Sequence, residues 1–140
     1  MRQALLVSAM VFVIFAGLPK DQAIAAQAPF PSVWVPPGEV IYKQFCAACH
    51  GARAQGNGPA ASTLKTHPPD LTTLAKRHGG KFPYDYVSSV LRFGPGSSAH
   101  GSSDMPTWGP IFQTIDRNNE RAAQDRIKNL ADYLASLQRK

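Results

Sequence analysis

Gly38-Glu39-Val40-Ile41-Tyr42-Lys43-Gln44-Phe45-Cys46-Ala47-Ala48-Cys49-His50 is the stretch on which the fold turns. Val40, Ile41 and Phe45 predict a helix that starts at Pro37, where a missing N–H costs nothing, and runs towards Cys46. The 140 residues contain 2 cysteines, and both lie in this stretch as a C-x-x-C-H. Three ordinary readings of such a pair meet difficulties. A redox-active C-x-x-C is expected near a βαβ pattern, and none is visible. Zinc would need a second pair of ligands to close its tetrahedron. A plain disulfide, the default in an oxidising compartment, leaves His50 unexplained. Covalent attachment of a c-type haem accounts for all three residues. Each thiol adds to one vinyl group, and the adjacent imidazole lies under the iron as proximal ligand.

Working outward, the N-terminal side reads as an export signal. Arg2 supplies a positive start, and Ala4 to Leu18 form an apolar run of about fifteen residues, short for a bilayer span. Ala23-Ile24-Ala25 suits cleavage before Ala26. Residues 1–25 are thus expected to be a signal peptide and the mature chain to have no membrane span. Pro29, Pro31 and Pro36 predict an extended arm over 26–36, leaving 37–140 as one domain. The net charge of +6 falls by one when Arg2, Lys20 and Asp21 are lost. That moderate excess suits an acidic protein partner. The basic residues are scattered and the chain is exported, so nucleic acid is not expected.

On the C-terminal side, Gly51 to Ala61 reads as loop. Asp70 is expected to cap a helix carrying Leu71 and Leu74 that stops at Gly79-Gly80. A further helix fits Tyr84 to Phe93, with Val87, Val90 and Leu91 on one side and Gly94-Pro95-Gly96 ending it. Ser97 to Pro110 reads as loop. Ala123, Ile127, Leu130, Leu134 and Leu137 predict the longest helix, from their three- and four-residue steps. Phe82, Phe93 and Phe112 are core candidates. No strand pattern is present, so the expected class is all-α. Short helices with many glycines and prolines bury little surface for their ordering cost. A large flat apolar cofactor would fill the middle.

Met105 is the one methionine outside the signal segment, 55 residues after His50. A lone Met is usually core filler. Its place in a Gly/Ser/Pro-rich loop, followed by Pro106, favours the role of second axial ligand. His100, in the same loop, is its rival; His67 and His78 are expected to face solvent. Trp108 is read as a wall that shields the haem, with an indole N–H able to reach a propionate.

From Gly38 onward the chain resembles the class I c-type cytochromes of bacteria. Gly38 and Tyr42 resemble that family's Gly/aromatic pair in the first helix, and Leu130 and Tyr133 its Leu/aromatic pair in the last. Gly58-Pro59 resembles the proline whose carbonyl accepts the second ring proton of the haem histidine. Pro68-Pro69-Asp70-Leu71-Thr72, His78-Gly79-Gly80-Lys81-Phe82-Pro83 and Asp104-Met105-Pro106-Thr107-Trp108-Gly109 are similar to a bacterial subgroup whose MP-x-WG segment donates the sixth ligand. The resemblance implies a small cytochrome c fold, with crossed terminal helices and with short helices and loops wrapped around one haem c. Cys46 and Cys49 would carry the haem and His50 and Met105 would bind the metal. Pro59 and Trp108 would line the cofactor.

The expected function is periplasmic electron transfer rather than catalysis, by a free carrier or the haem subunit of a respiratory dehydrogenase or oxidase complex. Lys43 and Arg53 would orient an acidic redox partner. Two other classes stay distinct. A ligand-binding or sensing haem module requires that Met105 leave the sixth position open or His-ligated. A thiol–disulfide enzyme requires a colourless protein.

Overall fold

The computed structural model describes residues 33–96, 104–117 and 119–139. The expected signal peptide, most of the arm and His100 lie outside the described residues. Six α-helices follow in order: α1 (Gly38–Phe45), α2 (Ala47–His50), α3 (Leu74–Arg77), α4 (Tyr84–Phe93), α5 (Trp108–Ile115) and α6 (Glu120–Ser136). Two short 3₁₀ turns, Ala61–Thr63 and Leu71–Thr73, lie between α2 and α3. No strand occurs among the described residues. The all-α class is as expected.

The frame is the crossing of α1 with α6. In α6 the buried residues are Ala122, Ala123, Arg126, Ile127, Leu130, Ala131 and Leu134, a stripe at helical period. Asn119 caps the helix, its side-chain oxygen accepting from the Ala122 N–H at 3.1 Å. In α1 the buried positions are Gly38, Ile41 and Tyr42. Gly38 sits so close to α6 that a Cβ there would lie 1.9 Å from the Asn129 carbonyl oxygen. The two backbones touch because one residue has no side chain. The Tyr42 and Tyr133 rings meet beside this contact, centroids 5.5 Å apart. The Asn129 amide donates to the Pro36 carbonyl at 3.0 Å, tying the chain just before α1 to the same place.

Helices α4 and α5 pack on α6 and on each other. Phe45, at the end of α1, reaches α5 and meets Trp108 and Phe112 at centroid distances of 5.4 and 5.6 Å. Phe112 is fully buried.

Four expectations need correction. Pro37 is the cap before α1 rather than its first residue. Asp70 caps the Leu71–Thr73 turn, accepting from the Thr72 N–H at 2.9 Å and the Thr72 hydroxyl at 2.6 Å; the α-helix proper starts only at Leu74. Phe93, the last residue of α4 before its Gly94 cap, is 75% exposed among the described residues rather than core. Most consequentially, α5 begins inside the segment read as loop. Pro110 falls in its first turn, where backbone N–H groups have no intrahelical partner, so this proline breaks nothing. Gly109 is required by packing: a Cβ would lie 2.5 Å from the Arg92 carbonyl oxygen at the end of α4.

The C-terminal residues are sewn onto the segment around α3. The Gln138 amide donates to the carbonyls of Leu71 and Leu134 and accepts from the Ala75 N–H, all at 2.8 Å. Arg139 bonds the Thr72 carbonyl through its backbone N–H and pairs with Asp70 through its guanidinium. Gln138→Ala removes three partly buried bonds at once, and denaturant titration should show a loss of about 1–2 kcal/mol.

Candidate functional site

Helix α1 ends at Phe45, and Cys46 takes φ −116°, breaking the helical run before α2 resumes at Ala47. Gly51, at φ +82°, closes α2 with its N–H on the Ala47 carbonyl at 2.9 Å. The Tyr42 hydroxyl donates to the Gly51 carbonyl at 2.6 Å in a buried bond, so α1 directly braces the residue after His50. Burial pushes the ionisation of that hydroxyl up strongly, with Cys46 and Tyr133 adding to it.

The following loop laces back onto the short helix. The N–H of Gly56 donates to the His50 carbonyl, that of Gly58 to Cys49 and that of Ala60 to Ala48, at 2.8, 3.1 and 2.9 Å. A helix of one turn has almost every carbonyl without an internal partner, and the loop supplies the donors. The His50 imidazole stands apart from this network. Its Nδ1 is buried with no hydrogen-bond partner, so the bond expected from the ring to the Pro59 carbonyl is not made. Pro59 is exposed, and its neighbours Gly58 and Ala60 donate their N–H groups to the α2 backbone. Burial lowers the proton affinity of His50, with the Pro69 carbonyl pulling the other way. Lower proton affinity favours the form of the ring that has a lone pair to offer.

Cys46 and Cys49 are both free and half-buried. Burial, with Cys49 adding, pushes the Cys46 thiol up to about 12. Thiols that exchange disulfides have depressed values, so this environment is opposite to that of an exchange enzyme. No group of three or more His, Cys, Asp or Glu side chains is placed to hold a metal ion among the described residues.

A cavity of about 300 Å³ lies inside the helices, and Cys46, Cys49, His50, Met105 and Trp108 all border it. Leu130 and Leu134 reach it from α6, Leu74 from α3 and Leu91 from α4, so its lining is mostly apolar. Met105 is half-buried and packs against the core. Trp108 is 8% exposed and stacks on Phe112 at 5.6 Å, as a wall should. Pro59 is not among the bordering residues.

Arg77, His67 and His78 also border the cavity, a polar group the sequence reading did not assemble. His67 and His78 are exposed as expected, yet each turns one side to the cavity. The Nδ1 of His67 donates to the Pro68 carbonyl at 3.0 Å and that of His78 to the Leu74 carbonyl at 2.8 Å. The signal was present: Leu74, Arg77 and His78 stand at i, i+3 and i+4, one face of a helical turn.

A pair of thiols and a half-buried imidazole within one short stretch, opening onto an apolar cavity, define a small helical protein that wraps a flat apolar prosthetic group. Residues 35–138 match the family described as Cytochrome c, and the chain belongs to the cytochrome c family. A haem cofactor and haem-based electron transfer follow from that membership. No curated protein and no solved structure matches the chain. No helix among the described residues is long and apolar enough to cross a membrane.

The residues present fit haem. The thiols are free, the cavity is apolar, and the unpartnered polar atom of His50 belongs to the side chain the motif assigns to iron.

Proposed function

We propose that this protein is an exported, periplasmic one-electron carrier with a single haem c held by Cys46 and Cys49. His50 and Met105 are its axial ligands. It acts as a free carrier or as the haem subunit of a respiratory dehydrogenase or oxidase complex. The observation that carries the reading is one cavity bordered by residues 55 positions apart, His50 and Met105. The bound haem supplies a one-electron iron couple.

The chain's own contribution is to hold and shield. Tyr42 and Gly51 fix the backbone around His50. Trp108, Leu130 and Leu134 exclude water from the ring, which together with a thioether ligand raises the potential. With His50 and Met105 both holding the iron, no open position would be left for a substrate. Lys43 and Arg53 are exposed beside the motif, and they orient an acidic partner. Lys43 is paired with Glu39 at 2.6 Å, an exposed contact that a stronger acidic surface can displace.

Mass spectrometry of protein expressed with haem-maturation machinery tests the reading. The expected mass is that of a chain starting at Ala26 plus one haem; a chain without added haem mass would sink the proposal. In the ferric form a weak near-infrared Fe–S charge-transfer band should be present. Met105→Ala should retain the covalent haem, lose that band and lower the potential by on the order of 0.1 V. An unchanged spectrum would move the sixth position to another side chain, with His100 first in line.

A further inference from the structure

The segment carrying Met105 is anchored on both sides, and the two anchors differ in kind. On the C-terminal side the anchor is packing against the end of α4. A Cβ at Gly94 would lie 2.9 Å from the Thr107 hydroxyl oxygen, and one at Gly109 would lie 2.5 Å from the Arg92 carbonyl oxygen. On the N-terminal side the anchor is a hydrogen bond: the Lys65 backbone N–H donates to a carboxylate oxygen of Asp104 at 3.1 Å. That bond joins residues 39 positions apart. It also joins two stretches that border the same cavity, Leu64, Thr66 and His67 on one, and Asp104, Met105 and Pro106 on the other.

Met105 therefore follows one anchor immediately and precedes the other by two residues. Pro106 restricts the backbone of Met105, so the residue has little local freedom to correct its own direction. Releasing the packed anchor would require separating α4 from α5. Opening the contact between Lys65 and Asp104 leaves α4 and α5 in place, and it frees the N-terminal side of Met105 to move relative to the cavity.

We infer that Asp104 is the positioning residue for the sixth ligand: by holding the Lys65 amide, it sets how often Met105 leaves the metal and small external ligands gain access. This rests on Met105 being the ligand, as proposed above.

The test uses ferric holoprotein and saturating imidazole, with loss of the near-infrared Fe–S band as the readout. Under those conditions the rate reports departure of the thioether. Asp104→Ala, which removes the acceptor, should raise the rate by about five- to tenfold. Asp104→Asn keeps an oxygen that can accept from the same N–H and should stay within about twofold of the parent. A role as surface charge alone would make both variants equally fast, and that result overturns the inference, as does an unchanged rate in Asp104→Ala. A measurement on the unaltered holoprotein decides the matter where a variant does not assemble. Hydrogen exchange at the Lys65 amide should accelerate when imidazole occupies the metal, and an unaltered exchange rate overturns the inference. The two levels separate cleanly. A parent protein lacking the Fe–S band removes the ligand assignment and this inference together, whereas a band present with no effect in either measurement removes only the role of Asp104.

Discussion

Gly38→Ala is expected to destabilise the holoprotein by about 3 kcal/mol or more, a large share of the 5–15 kcal/mol that holds a small domain folded. The added methyl would lie 1.9 Å from the Asn129 carbonyl oxygen and 2.7 Å from the Tyr133 Cβ. Neither atom is the far end of a flexible side chain. The carbonyl belongs to the α6 backbone, so the helices must separate, and the buried contacts of Ile41, Tyr42 and Leu130 loosen with them. Denaturant titration followed by far-ultraviolet circular dichroism measures the loss. Asn129→Ala should not rescue it, because the clash is with backbone. A comparison with Gly79→Ala separates crowding from glycine's conformational freedom. Gly79 has φ +68° and nothing within 4 Å of its absent Cβ. Its substitution should cost only about 1 kcal/mol. Equal costs at the two sites would refute the close-crossing argument.

Arg126→Ala is expected to cost about 3–5 kcal/mol. Arg126 lies on the buried stripe of α6 and holds Asp116, just past α5, through two parallel bonds of 2.7 and 2.8 Å. The side chains are 10% and 3% exposed. Removing the guanidinium leaves a carboxylate in an apolar setting with its main partner gone. The penalty is the stranded charge more than the lost attraction. The double replacement Asp116→Leu with Arg126→Met should therefore recover most of the stability. Additive losses in the double variant would contradict this account. The pair also lies at the far end of the helix that carries Trp108 on the cavity wall.

The cysteines and His50 were legible because their chemistry is local. Spacing within one turn decides whether two sulfurs and an imidazole can serve one ring. The long C-terminal helix was legible from a period that many residues repeat. The helix α5 was not, since Gly109 and Pro110 read as loop residues to any local rule. Gly109 is there because α4 passes 2.5 Å from where its side chain would be, and Pro110 is harmless because it falls in a first turn. The Pro59 expectation met the same limit. Its nearness to His50 along the chain did not make its carbonyl a partner for the ring: Pro59 does not border the cavity, and the carbonyl that acts on His50 is that of Pro69.

By itself, then, the amino-acid order determined an all-helical chain, a haem-attachment motif and a lone candidate thioether, all properties carried by a few neighbouring residues. Only the tertiary structure decided that Met105 and His50 border one cavity, that Arg77 and His78 join them, and that a buried Arg126–Asp116 pair fixes the turn into α6. Such facts depend on which distant segments come into contact. That is settled by the summed packing of the whole chain, where close approach at Gly38 and Gly109 outweighs local preference.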